Sequence, residues 1–252
     1  MKKKILLVTT VLSLFFVLPV QNEAATILEA SYVTDTFLID GNLNEAAWNN
    51  SQIYTKTFES ASTTVEANIY LAHDNSFFYV ALETPFYSGM DSLSNVLIDG
   101  NHDHIITALP SSPYYDVVGC QASPNGWSGY DSYWNGHEGV VTPPTGYESA
   151  SYGTDMVSYE YKFPIYDLTD STDNTIGIIF FIQSMANKDS QYLYPITDLM
   201  KTSDPNWLDP WADVGAWADL TFKSSPTVPV PASILLFGSS LTIIGGIRIR
   251  RK

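Results

Sequence analysis

Basic residues are scarce in this chain of 252 residues: 12 Lys and Arg stand against 27 Asp and Glu, a net charge of −15. Seven of the 12 lie at the two ends, so residues 25–225 carry only Lys56, Lys162, Lys188, Lys201 and Lys223 against 26 acids, a net of −21. A surface of that sign repels phosphate backbones and anionic headgroups, which excludes nucleic acid as a partner. It suits divalent cations, and it also serves plain solubility. Cysteine is almost missing. Cys120 stands alone, so no internal disulfide is available, and stability must come from the core and from any bound metal. Also absent are a G-x-S-x-G elbow, a Gly-rich phosphate loop and an H-x-x-x-H pair. So many carboxylates always include pairs suited to acid–base work, and the sequence singles out none. The chain therefore reads as a binder rather than an enzyme.

The ends carry what the middle lacks. Met1 to Lys4 is a positive start, Ile5 to Val20 is an uncharged apolar run, and Ala24 and Ala25 are small residues where a peptidase could cut. That is the layout of a secretory signal peptide over residues 1–24. At the other end, Ala232 to Ile247 carries no charge and Arg248, Arg250, Arg251 and Lys252 follow it. The apolar stretch is short for a bilayer span of about 20 residues, and its basic end stays on the cytoplasmic side. Pro226, Pro229 and Pro231 separate this segment from the preceding strand. Val228-Pro229-Val230-Pro231-Ala232, the apolar run with Gly238, Gly245 and Gly246, and the basic end together resemble a PEP-CTERM sorting signal of the VPxPA variety. The resemblance implies an exosortase-type protease as partner, passage through the membrane, and placement at the cell surface or in the extracellular matrix.

Between these ends, residues 25–225 suit one domain with a sizeable core. Val65, Ala67, Ile69 and Leu71 alternate with polar residues, His73 to Ser76 reads as a turn, and Phe78, Val80 and Leu82 alternate on the way back. That predicts a hairpin over 65–82. Val96 to Ile98, Ile105 to Leu109, Tyr114 to Val118, Val157 to Phe163, Ile176 to Ile182 and Ala216 to Phe222 are further predicted strands. One short helix is predicted over Asn44 to Asn49, opened by Asn42 or Asn44. The loop from Ser123 to Gly153 has no clear pattern. Many short strands and almost no helical periodicity predict an all-β fold, an antiparallel β-sandwich with few short helices.

Asp40-Gly41-Asn42-Leu43-Asn44-Glu45-Ala46-Ala47-Trp48 resembles the opening motif of family 9 carbohydrate-binding modules. The order of later segments agrees: Ala67 to Asp74 with Phe78 to Ala81, Asn95 to Asp99, Tyr159 to Ile165, Ile176 to Ile178, and Ala218 to Phe222. The resemblance spans most of 32–223 and implies the family's sandwich and a sugar-binding role.

A sugar site on a sandwich needs a flat aromatic face for the ring and polar groups for the hydroxyls. Trp48 follows a short apolar helix and reads as core. Trp207-Leu208-Asp209-Pro210 lies between prolines 205 and 210 and matches the family's Trp-x-Asp-Pro loop, whose Trp stacks on sugar. Trp207 and Asp209 are therefore candidates, with a loop tryptophan folded onto the sandwich as the alternative. Where the family carries a second Trp, this chain has Gly89-Met90, and Tyr87 stands nearby. Trp127, Tyr130, Tyr133 and Trp134 in the long loop offer another platform, against packing under that loop.

Asp99-Gly100-Asn101-His102-Asp103 sets oxygen ligands at alternating positions before a turn. This is the start of a calcium-loop pattern, without the later bidentate Glu. The alternative is an ordinary Asx turn, while the family resemblance implies structural calcium. His102 and His104 could bind zinc, but no Cys or third His stands near them in sequence. The functional expectation is an exported, surface-sorted, non-catalytic polysaccharide binder. A structural matrix protein without sugar binding is the alternative, and activity associated with glycoside hydrolysis is a third.

Overall fold

The computed structural model describes residues 26–85, 92–104, 117–122, 131–135, 140–153, 156–168, 174–184, 190–204 and 207–224. The predicted signal peptide, the sorting tail and the strand at 105–109 lie outside them. Thirteen strands are found among the described residues. In chain order they are β1 (Ile27–Tyr32), β2 (Gln52–Glu59), β3 (Thr64–His73), β4 (Phe77–Thr84), β5 (Ser92–Asp99), β6 (Val117–Ala122) and β7 (Asp131–Asn135). There follow β8 (Val140–Val141), β9 (Glu148–Tyr152), β10 (Val157–Pro164), β11 (Thr175–Ser184), β12 (Ser190–Tyr194) and β13 (Ala218–Phe222).

One layer runs β9-β10-β4-β3-β2 and the other β8-β7-β6-β5-β11. The second edge of β11 is shared: β13 pairs with Thr175–Ile178 and β12 with Phe180–Ser184. The layers join where Leu193 of β12 meets Glu59 of β2. They join again through β1, whose first four residues pair with β13 and whose last two pair with β3. Both β1 pairings are parallel, a correction to the purely antiparallel expectation. A strand that crosses from one layer to the other must match the direction it finds in each.

Alternation fixes the core, because successive side chains in a strand point to opposite faces. Val157, Tyr159, Tyr161 and Phe163 of β10 are buried with Val96 and Ile98 of β5 and Ile176, Ile178, Phe180 and Ile182 of β11. Polar groups in this core are paired across the layers. Ser92 shares a 2.8 Å hydrogen bond with the Tyr159 hydroxyl, and Tyr161 donates to the Ser94 carbonyl at 2.7 Å. The outer faces are also partly covered. Val33, Phe37, Ala47 and Trp48 lie over Ala72, Tyr79 and Ala81 of the first layer. Met200, Leu208, Val214 and Trp217 lie over Leu97, Ile179, Phe181 and Leu193 of the second.

Some boundaries differ from expectation. The helix α1 (Ala46–Asn49) is capped by Glu45 through backbone alone, not by Asn42 or Asn44. The last strand begins at Ala218, because Pro210–Ala216 forms a 3-10 turn. The unpatterned 123–153 stretch contains β7, β8 and β9.

Candidate functional site

Trp207 stands on the arch that covers the outer face of the second layer. Its backbone is held on both sides. The Trp207 amide donates to Asp204 O at 3.1 Å, and Thr202 Oγ1 donates to Trp207 O at 2.8 Å. The next residue, Leu208, is buried, and its amide donates to Gln191 Oε1 at 2.7 Å. Asp209 N donates to Met200 O at 2.8 Å. Below the arch Trp217 is 1% exposed and its indole donates to Pro210 O at 3.0 Å. Trp207 itself is 55% exposed. The loop thus fixes this tryptophan without burying it.

Asp209 acts locally. Its Oδ1 accepts from Trp211 N at 3.0 Å and so caps the 3-10 turn. The sequence pattern Asp-Pro explains this, since Pro suits the first position of such a turn and Asp the cap.

The sheet face beside the arch holds polar groups that sequence reading missed. Gln191 pairs in register with Gln183, and Gln183 with Leu93 of β5. One row over, Asn95 lies opposite Phe181, and its Oδ1 is buried without a hydrogen-bond partner. Because Asn95 alternates with buried serines, it reads in sequence as a plain solvent-facing position. On the same face, register runs from Ile179 through Leu97 and Val118 to Trp134 of β7. Backbone register puts Trp134 in that row, three strands from β11, or roughly 14 Å at the usual strand spacing. Tyr87, Trp127 and Tyr130 lie outside the described residues, as does the side chain of Trp134.

The metal candidates form a tight turn after β5. Asp99 is fully buried, and its Oδ2 accepts from His104 N at 2.9 Å. Burial pushes its carboxyl above the ordinary carboxylate range, against the lowering effect of that hydrogen bond. Oδ1 of Asp99 has no hydrogen-bond partner, so it is a buried anionic oxygen of the kind a hard cation takes. Asn101 and Asp103 are engaged with each other, Nδ2 to Oδ2 at 2.9 Å and the Asp103 amide to Asn101 Oδ1 at 3.3 Å. His102 and His104 adopt left-handed backbone (φ 53° and 59°), and His102 Nε2 lies 2.9 Å from Asp219 Oδ1. Among the described residues, no three His, Cys, Asp or Glu side chains are grouped to hold a metal. The turn thus supplies one well-suited donor, Asp99, and two whose side chains already bond each other.

No protein-family model matches the chain, and no curated protein matches it. Solved structures do. A family 9 carbohydrate-binding module from Caldicellulosiruptor kristjanssonii, solved with glucose, superposes with a TM-score of 0.57 at 15% identity, over 82% of this chain and 100% of the module. The module solved with cellotriose gives 0.54 at 14% identity, over 81% and 99%. A Bacteroides uniformis protein gives 0.51 at 11% identity, over 79% and 100%. This chain has a fold like that of family 9 modules. The likeness extends across those modules' whole length at an identity that fixes architecture alone.

Among the described residues no helix is long and apolar enough to cross a membrane; the two apolar ends lie outside that search.

Proposed function

We propose that the chain is a non-catalytic carbohydrate-binding protein whose platform is Trp207. The observation that carries this reading is a tryptophan 55% exposed on a loop pinned at Thr202, Met200 and Gln191. A half-exposed indole on a pinned backbone offers a stacking face at little entropic cost. Gln183 and Asn95 on the adjoining face are the hydroxyl partners in this reading. Asp209 contributes by shaping the loop. The shared fold with modules solved on glucose and cellotriose supports a glucan-like ligand. Retardation in native gels containing soluble glucans, xylans or the host exopolysaccharide tests the reading. Retardation by at least one, abolished by Trp207→Ala, is expected. No retardation by any would leave a structural matrix protein.

The ends support export and sorting: the first 24 residues direct secretion, and residues 226–252 direct surface placement by an exosortase-type protease. A C-terminal epitope tag lost from the mature surface protein is the expected result, and a tag retained there contradicts processing. In the same reading Asp99 holds a structural calcium through its unpartnered Oδ1, with Asn101 and Asp103 turning toward the ion in place of each other.

A further inference from the structure

A hollow of about 220 Å3 opens at the other end of the sandwich. It is formed where β1 and β13 end, where β3 turns into β4, and where β11 begins. Its volume is below the roughly 300–1,000 Å3 of pockets for drug-sized ligands, which limits an occupant to about one small ring.

The charges around it are committed. Asp74 Oδ1 accepts from the Ser76 and Phe77 amides at 2.6 and 2.7 Å, and Oδ2 from the Tyr79 hydroxyl at 2.8 Å. Lys223 pairs with Glu29 at 2.8 Å. The ring nitrogens of His73 face the carbonyls of Asp74 and Lys223 at 3.0 and 2.7 Å. A pocket in which every charged side chain already has a partner recruits neither an anion nor a metal ion. What remains is neutral. Tyr32 contributes a half-buried ring and a hydroxyl, held edge-on to His73 with centroids 5.5 Å apart. Asn75 reaches the Tyr32 hydroxyl only at 3.4 Å. Asn174 and Ser224 are exposed at the rim. An aromatic face ringed by amides and hydroxyls matches an uncharged polyhydroxylated ring, whose vicinal hydroxyls suit a side-chain amide and whose C–H face suits the tyrosine.

We propose that this hollow is a second sugar subsite, taking one neutral pyranose or chain end, and that it makes the protein bivalent. The bivalence rests on the Trp207 platform; the pocket does not. Trp207 sits beside Gln191, which pairs with Gln183 near the end of β11, whereas Asn174 precedes its first residue. Nine residues of strand separate the two levels, roughly 30 Å at about 3.3 Å per residue. Two sites that far apart on one rigid sandwich engage two polysaccharide chains, or two stretches of one, and raise avidity without new contacts.

The test is saturation-transfer NMR of the whole protein with neutral methyl pyranosides of glucose, galactose, mannose, xylose and N-acetylglucosamine. In the Trp207→Ala variant, transfer to at least one glycoside persists, and adding Asn174→Trp, which fills the hollow from its rim, lowers it at least tenfold. Asn75→Ala, at an exposed turn, is the companion variant should the tryptophan disturb folding, and it weakens transfer several-fold. No transfer from the Trp207→Ala protein to any of the five, or transfer indifferent to both pocket changes, overturns the second site. Transfer lost with Trp207→Ala alone leaves the first platform standing and removes the pocket.

Discussion

The indole nitrogen of Trp48 donates a 2.7 Å hydrogen bond to Oε1 of Glu160, 112 residues further along the chain. The other oxygen of Glu160 accepts from the Asp40 and Gly41 amides at 2.9 and 2.6 Å. Ser158, also on β10, donates to Gly41 O at 2.7 Å. The Asp40-Gly41 to Trp48 motif is therefore a clasp around one buried carboxylate. It fastens the 33–50 segment over the outer face of the first layer.

Glu160→Ala should lower stability by about 3–5 kcal/mol, because the buried Gly41 amide and Trp48 indole and the partly buried Asp40 amide lose their acceptor at once. Trp48→Phe keeps an aromatic ring beside Phe37, whose ring centroid lies 4.5 Å away, and removes the hydrogen bond together with part of a ring that is 2% exposed. Its cost should be at least about 1.5 kcal/mol, since a bond to a charged group is worth about 1.5–3 kcal/mol and the gap left behind adds to it. Denaturant titration of both variants measures these losses, and a loss below about 1 kcal/mol in either would contradict the clasp.

The same carboxylate sets a pH dependence. Burial raises Glu160 from 4.5 to about 7, against the lowering effect of its hydrogen bonds from Gly41 and Trp48. Between those values the folded protein holds a proton that the unfolded chain has released. This group's contribution is therefore present in full below pH 4.5 and is lost as pH rises to about 7, a change of about 3 kcal/mol. Glu45 beside it is raised too, first by burial, and acts in the same direction. Melting curves of the protein and of Glu160→Gln between pH 4.5 and 8 should show the native protein losing ground to the variant as pH rises. A gap independent of pH would contradict the assignment.

Gly41 has φ +85°, and a Cβ there would stand 2.3 Å from the Ser151 carbonyl carbon. Gly41→Ala combines left-handed strain with a backbone clash, so a loss of at least about 2 kcal/mol is expected. A melting temperature within one degree of the native value would show that the clasp has slack.

The sandwich was legible because its central strands alternate cleanly. Hairpin residues 65–82 and the β10 and β13 segments lie where the period of two places them, and β11 lies on the continuous apolar run of 176–182. Trp48 was legible as core from the apolar helix before it. Glu160 was not, because an acidic residue alternating with Tyr159 and Tyr161 looks solvent-facing; only the 33–50 segment covering that face makes it buried. Asn95 escaped for a related reason, lying on a face partly covered by the distant 196–217 arch. β2 and β9 carry many hydroxyl residues and little apolar signal, and β1 is short and divided between two partners. The flanking prolines marked Trp207 as a loop residue and left open whether it is exposed or folded onto the sandwich; the hold on its backbone depends on Gln191 and Met200, which no local pattern connects to it.

Calcium at Asp99 should be visible in stability. A ligand bound only by the folded state raises the melting temperature, so chelation should lower it and added calcium restore it. Asp99→Asn should make the melt insensitive to chelator. A native melt that chelator leaves unchanged would mark the segment as an Asx turn without metal.

The most direct test of the central claim is calorimetric titration of the retarded polysaccharide, or of cello-oligosaccharides, into the native protein, Trp207→Ala and Trp207→Phe, with melts recorded alongside. Losing a stacking face should weaken binding at the platform at least tenfold in Trp207→Ala and less in Trp207→Phe. Stability should stay within about 0.5 kcal/mol, because an exposed loop residue leaves no cavity. A buried tryptophan such as Trp217 would instead cost about 3–5 kcal/mol on the same change. Unaltered affinity in Trp207→Ala, or a melt that collapses with it, contradicts the platform.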